Sequence, residues 1–395
     1  MIRVNLTEDI YYLGVNDRRL NLFENFWPLP KGVTYNSYLI VDEKVCLIDT
    51  VERKFTDEYF ARIDDILLGR QVDYLVVNHV EPDHSGSIKA LKDKFPGIEV
   101  VGNKKTFPML ENFYGEFNKI LTVDDGDKLN LGKHELNFYT IPMVHWPESM
   151  VTFDSSTGIL FSNDAFGSFG TLDGGVFDDE INLSFYEEEI MRYFTNIVGK
   201  YCPHTQRALK KLEGIEIKQI APSHGIIWRK DLNYILEKYH KWSSYQSEEG
   251  VVIVFGSMYG NTEKMADAIA RELSVLGIKN IKIHDASKTH VSYMINDIFK
   301  YKCLIIGSCA YNNELFPAIE SLVTEIEHKV IKDRFLSIFG SFSWNGGGVK
   351  NLLKFAENTG WEMIGNPVEV KGALTQEKYN EIQLLSKEIS EKISK

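Results

Sequence analysis

Cysteine is scarce and basic charge is in deficit. The four cysteines, Cys46, Cys202, Cys303 and Cys309, form no CxxC pair and no framework spacing. That usage fits a reducing, cytoplasmic setting and excludes a thiolate iron site of the rubredoxin kind within this sequence. Lysine and arginine number 44 against 56 aspartates and glutamates, a formal net charge of -12. Such a surface repels phosphate, so no nucleic acid is expected as a partner, whereas a basic docking partner suits it. No run approaches the roughly 20 consecutive apolar residues of a membrane helix, and no membrane is expected. The opening segment MIRVNLTEDIYYLGVNDRRL is charged throughout and lacks an apolar signal core. Internal repeats and low-complexity tracts are missing too.

What is there is an ordinary globular composition, 44% apolar and 25% charged over 395 residues, enough chain for two or three full cores. Short β-type runs fill the first half at 8–15, 35–41, 45–49, 74–78, 98–102, 136–141, 150–154 and 159–162. Ser155-Ser156-Thr157-Gly158 between the last two predicts a hairpin. Helices are expected over 57–68, 87–94 and 187–198, and a strand over 217–221 leads into Pro222-Ser223-His224-Gly225. This mixture predicts an α/β fold whose residues 1–248 form an αββα sandwich. The polar stretch 242–250 reads as a linker. Beyond it, strands at 251–255, 281–284, 303–306, 335–339 and 367–370 alternate with helices, the first carrying Met265, Ala268, Ile269, Ala270, Leu273 and Leu276 at helical spacing. Residues 249–395 thus carry the doubly wound parallel signature.

Chemistry concentrates first in Val77-Asn78-His79-Val80-Glu81-Pro82-Asp83-His84-Ser85-Gly86, directly after an apolar strand. Two carboxylates and two imidazoles crowded at a strand end are costly to bury, and a metal resolves the conflict by making ligands of all four. Taken alone, the run also fits an exposed turn with a helix cap at Asp83 or Ser85. Further ligand types stand at other strand ends: His145 in Met143-Val144-His145-Trp146-Pro147-Glu148-Ser149, Asp164 after 159–162, and His224 after 217–221. Hard oxygen donors mixed with imidazole suit iron or manganese, and zinc fits the same ligand types. The other six histidines (134, 204, 240, 284, 290 and 328) sit in ordinary helix, strand or surface contexts.

A second concentration lies downstream. Ser257-Met258-Tyr259-Gly260-Asn261-Thr262 joins a buried strand to a helix, and its small and hydroxyl residues suit a monophosphate held by amides and hydroxyls at a helix N-terminus. No lysine follows in the P-loop pattern and the glycines do not fit GxGxxG. Ser308-Cys309-Ala310-Tyr311-Asn312-Asn313 and Ser341-Phe342-Ser343-Trp344-Asn345-Gly346-Gly347 follow later strands, at the carboxyl edge where doubly wound sheets take ligands. Their aromatic side chains are suited to flanking a planar ring.

The first set of residues resembles the metallo-β-lactamase superfamily, whose usual motif is His-x-His-x-Asp-His, except that Glu81 stands where a second histidine is usual. That departure, with His145-Trp146-Pro147, Ser223-His224-Gly225 and the three downstream loops in order, resembles the flavodiiron protein family across the whole chain. The downstream loops are similar to those of flavodoxins, with Cys309-Ala310 in place of the usual Pro-Thr and with Ser343 and Asn345 flanking Trp344. The resemblance implies a metallo-β-lactamase-like diiron domain and a flavodoxin-like FMN domain. It puts His79, Glu81 and His145 on one iron ion, Asp83, His84 and His224 on the other, and Asp164 between them, with His84 the most variable contact. It implies reduction of dioxygen to water, of nitric oxide to nitrous oxide, or both. A separate rubredoxin or a reduced deazaflavin coenzyme is the implied electron donor, and a head-to-tail homodimer or dimer of dimers the implied assembly. Two other readings compete: a metallo-hydrolase fused to a flavodoxin-like module, and a pure electron carrier whose first domain is an inactive scaffold.

Overall fold

The computed structural model describes residues 3–394; Met1, Ile2 and Lys395, at the ends of the two expected domain ranges, lie outside the described residues. The chain divides into two compact units between His240 and Lys241.

The first unit contains two mixed sheets. One has seven strands in the order Val4–Asn5, Ile10–Tyr12, Tyr38–Val41, Val45–Ile48, Tyr74–Val76, Glu99–Gly102 and Ile120–Thr122. It is antiparallel as far as Val45–Ile48 and parallel beyond. The other has five strands, Lys128–Asn130, Glu135–Thr140, Met150–Asp154, Ile159–Asn163 and Gln219–Pro222, of which only the last pair is parallel. Met150–Asp154 and Ile159–Asn163 pair as the expected hairpin. Both are buried along their whole length, as strands covered on both faces must be. The sheets face one another: the Tyr38 and Phe161 rings lie 5.1 Å apart, and the Tyr38 hydroxyl donates to the Pro222 carbonyl at 2.7 Å. Helix Thr56–Leu67 buries Tyr59, Ile63 and Leu67 at four-residue spacing, one stripe of its surface.

One expected helix is not uniform. Residues 187–198 form an α-helix over Glu187–Tyr193 and then a wider π-turn over Phe194–Val198. The Asn196 amide nitrogen and the Thr195 hydroxyl both donate to the Arg192 carbonyl, at 2.8 and 3.2 Å. That carbonyl is the acceptor an α-helical bond from the Asn196 backbone needs, so the side chains displace the regular ladder.

The stretch 242–250 is mostly ordered element. Helix Leu232–Ser243 enters it, a strand begins at Glu248, and Trp242 and Tyr245 are buried. In the second unit all strand pairs are parallel, in the order Ile281–Asp285, Glu248–Gly256, Tyr301–Cys309, Phe335–Phe342, with Glu362–Met363 and Val368–Lys371 both along the outer edge of the last. This is the flavodoxin-like order. Alternate strand residues Val251, Ile253, Phe255, Cys303 and Ile305 pack with Met265, Ala266, Ile269 and Leu273 of helix Asn261–Val275 and with Ile382, Leu385 and Ile389 of helix Gln376–Ile393. Leu276, expected on that helical stripe, is exposed because it caps the helix end.

Candidate metal centre and flavin loops

The run His79 to His84 is held between the two sheets through Asn78. The Asn78 backbone amide donates to Asp49 Oδ1 at 2.8 Å, the Thr152 hydroxyl donates to Asn78 Oδ1 at 2.7 Å, and the Met150 amide donates to the Asn78 carbonyl at 3.0 Å. Pro82 then starts a single helical turn, Pro82–Ser85, which turns Asp83 and His84 back toward the loop. Two imidazoles are aimed from behind. His79 Nδ1 donates to Glu148 Oε1 at 2.7 Å and His224 Nδ1 donates to the Thr34 carbonyl at 2.6 Å. Each bond fixes the tautomer and leaves Nε2 facing inward, the usual way a protein presents imidazole to a metal.

All seven ligand-type residues named from the sequence converge. Asp164 Oδ2 is 3.3 Å from His79 Nε2 and 3.1 Å from His145 Nε2, and Glu81 Oε2 is 3.3 and 3.0 Å from the same two atoms. Asp164 Oδ1 is 3.4 Å from His84 Nε2 and 3.2 Å from His224 Nε2, and Asp83 oxygens lie 3.5 and 3.2 Å from those. Asp164 therefore turns one oxygen to each of two ligand sets. Donor atoms of His79, Glu81, His84 and Asp164, and those of Asp83, His84 and His224, form two groups within 4.8 Å.

The residues fit metal ions on their own chemistry. Both oxygens of Asp83 and of Asp164, both nitrogens of His84 and Nε2 of His224 are buried without a hydrogen-bond partner. Orphaned polar atoms of this kind cost several kcal/mol unless a cation engages them. The electrostatics agree. Burial opposes charge on His145 and His224, yet Asp164 with Glu81, and Asp164 with Asp83, raise these imidazoles to about 9 and about 10. Burial likewise opposes ionisation of Asp164, but His84, His145 and His224 outweigh it and hold the carboxyl well below its usual range. The pocket calls for positive charge, which two cations supply.

Several neighbours were not singled out from the sequence. Glu148, fully buried, aims His79; its place one residue beyond Trp146-Pro147 was the available signal. Tyr193 lies on the helix that ends in the π-turn; its ring is 5.7 Å from His224 and its buried hydroxyl has no hydrogen-bond partner. Burial and then Asp164 push that phenol well above its ordinary pKa, so it stays protonated. Trp146, which the sequence did mark beside His145, stands perpendicular to the His79 ring with centroids 5.0 Å apart. Of the six other histidines, His134 pairs with Asp154 and Asp9, and His284 with Asp297, away from the centre.

In the second unit the three predicted loops meet at the carboxyl edge of the sheet. The Gly260 amide donates to Ser257 Oγ at 3.0 Å, and Gly260 takes φ +85°, which lets the chain turn into helix Asn261–Val275. Thr262 and Ser341 join the first and third loops through their hydroxyls at 2.9 Å, and the Ala310 amide donates to the Ser341 carbonyl at 2.8 Å. Ser257, Met258, Tyr259, Asn261, Cys309, Ala310, Ser341, Phe342 and Ser343 line one small cavity with Gly372, a residue the sequence did not mark. Thr262 and Ser308 are fully buried and brace the loops instead. Asn312 and Asn313 take left-handed backbone, and the Asn313 carbonyl lies so near Gly347 that a Cβ there would meet it at 2.0 Å. Tyr311, Trp344, Asn345 and Gly346 stand outside the cavity lining; the Tyr259 and Trp344 side chains are exposed at 91% and 79%, free to cover a planar ring.

Residues 33–225 match the family described as ODP family beta lactamase, and residues 253–383 match flavodoxin. The chain is 35% identical to a nitric oxide reductase of Moorella thermoacetica over 92% of each chain. It is 32% identical to an anaerobic nitric oxide reductase flavorubredoxin of Vibrio vulnificus, covering 91% of this chain and 74% of that one. Among solved structures, rubredoxin oxygen:oxidoreductase from Desulfovibrio gigas superposes with a TM-score of 0.95 at 29% identity, over 100% of this chain and 99% of the other. The flavodiiron protein from Giardia intestinalis gives 0.91 at 27% identity, over 100% and 98%. With both units matched in order and the Moorella thermoacetica relative covered over 92% of its length, the chain belongs to the flavodiiron protein family.

Proposed function

We propose that this protein reduces dioxygen to water, nitric oxide to nitrous oxide, or both, with electrons passing from an external donor through FMN to two iron ions. The observation that carries this reading is the pair of ligand sets divided by Asp164, with the Glu81 carboxylate in the set that holds His79 and His145. In this reading His79, Glu81 and His145 hold one ion, Asp83, His84 and His224 hold the other, and Asp164 bridges. The loops 257–262, 308–313 and 341–347 hold FMN, and the functional domains are 1–248 and 249–395. When bound, the ferrous pair and reduced flavin supply the four electrons that dioxygen requires, or the two required by a pair of nitric oxide molecules.

The chain's own residues prepare the reaction. Glu148 holds the proton of His79 Nδ1 and keeps Nε2 available. Tyr193, whose ring lies beside His224, keeps the proton at its hydroxyl oxygen. Phe23 and Tyr35 pack edge-on to His224 at 5.5 and 5.9 Å and keep water from that side. The external donor in this reading is a rubredoxin or a reduced deazaflavin coenzyme. A head-to-tail homodimer, in the cytoplasm, completes the reading. No helix among the described residues is long and apolar enough to cross a membrane.

The test is anaerobic reduction followed by rapid mixing with each gas, with flavin and iron absorbance followed together. Reoxidation of both by at least one gas is expected. Zinc in place of iron, with reduced flavin inert to both gases, would overturn the proposal and favour the hydrolase.

A further inference from the structure

Beside the metal centre lie two largely apolar spaces that the ligand geometry does not use. A cleft of about 610 Å³ runs between helices Cys202–Leu212 and Leu232–Ser243, with Arg207, Lys210 and Glu213 at its rim and Leu160, Leu236 and Phe166 within. A second, internal cavity of about 10 Å³ adjoins Val144, Val151 and Ala165. Phe166, Leu209 and Leu212 line both spaces. Val144 precedes His145 and Ala165 follows Asp164, so the inner cavity ends against the backbone of two ligand-type residues.

The partition is built with care. Phe166 takes φ +68°, a conformation that costs a bulky residue about 1–3 kcal/mol. It is held at both ends: its amide donates to the Tyr239 hydroxyl at 2.6 Å, and Trp228 Nε1 donates to its carbonyl at 3.2 Å. Its ring lies 4.4 Å from that of Tyr239. The inner cavity is at the lower limit of the roughly 10–15 Å³ a water molecule needs, and its walls offer water almost no partners. A diatomic gas has no hydrogen bonds to lose there.

We propose that the cleft and inner cavity form a binding route for small apolar gases, through which dioxygen or nitric oxide reaches the centre past Phe166 and between Val144 and Ala165. The proposal rests on the gas reduction proposed above.

Xenon is the probe. In crystals of the full chain under xenon pressure, anomalous density is expected against Phe166, Leu209 and Leu212, and it should vanish in Leu209→Trp. In solution L209W should lower kcat/KM for the gas by about tenfold while the rate of flavin reduction by the donor stays unchanged. Leu236→Trp, on the facing helix, takes its place if L209W fails to fold. Xenon absent from this position, or a tryptophan variant with unchanged kcat/KM, overturns the route. A wild-type protein that reduces gas but binds no xenon here removes the route alone. One that reduces neither gas removes the proposed function, and xenon occupancy then decides the gas site by itself.

Discussion

Glu148 Oε1 accepts from His79 Nδ1 at 2.7 Å and from the Val80 backbone amide at 2.9 Å, so one buried oxygen fixes both the ring and the loop that carries it. In Glu148→Gln the amide oxygen can replace the contact but not the charge. Iron retention during dialysis against a chelator should fall by about 10–100-fold, with the far-ultraviolet spectrum unchanged. Full retention would show that Glu148 only packs.

Glu81→His restores the residue usual in the hydrolase superfamily. It removes a negative charge from the set that contains His79 and His145. Metal analysis of protein grown with both metals should show zinc displacing iron, and gas consumption should fall by at least about tenfold. A variant that keeps its iron and its turnover would separate Glu81 from both properties.

Tyr193→Phe removes a buried hydroxyl that has no hydrogen-bond partner in the protein. Chemical denaturation of the metal-loaded chain should show no loss of stability, or a gain of about 1 kcal/mol. Turnover with gas should nonetheless drop, because the proton beside His224 is lost. Unchanged turnover would mean that the hydroxyl serves neither purpose.

Gly347→Ala places a methyl against the Asn313 carbonyl, where a Cβ would stand 2.0 Å away. The third loop must move, and overpacking of this kind costs about 1–3 kcal/mol. Flavin content, read from the visible spectrum, should fall while iron content holds. Equal flavin in variant and wild type would exclude this loop from binding.

His134 carries the pH dependence outside the centre. Burial lowers its pKa, but Asp154 and Asp9 outweigh burial and raise it to about 9. A folded-state pKa above the unfolded value of about 6.5 contributes stability that is whole below that value and lost as pH rises through 9. After solvent screening the contribution is about 1 kcal/mol. Thermal midpoints measured from pH 6 to 9.5 should fall more steeply for the wild type than for His134→Gln, and parallel curves would refute the assignment.

Much of this was legible in the sequence because the informative residues stand where strands end. The hairpin from Met150 to Asn163 was readable from two β-type runs and the turn between them, and the parallel order of the second unit from its strand–helix rhythm. Convergence of His145, Asp164 and His224 on the loop from His79 to His84 was expected from the family resemblance and from no local pattern, because it depends on strand pairing across long sequence separations. Glu148 and Tyr193 escaped for the same reason. Each matters through a partner far away in the chain: His79 for one, His224 for the other. The π-turn escaped because apolar periodicity is blind to the Asn196 and Thr195 bonds that widen the helix.

The parallel pairing of Ile159–Asn163 with Gln219–Pro222 has a consequence in time. His224 follows the later of those strands, so during synthesis its ligand set stays incomplete until nearly the whole first unit has left the ribosome and the edge strand has docked. The ion assigned to Asp83, His84 and His224 would therefore find its full ligand set only in the finished first unit. A chain stopped before Gln219 would present His79, Glu81, Asp83 and His84 in order and still be unable to assemble the pair. Loading of the centre is thus a checkpoint on the completeness of the first unit.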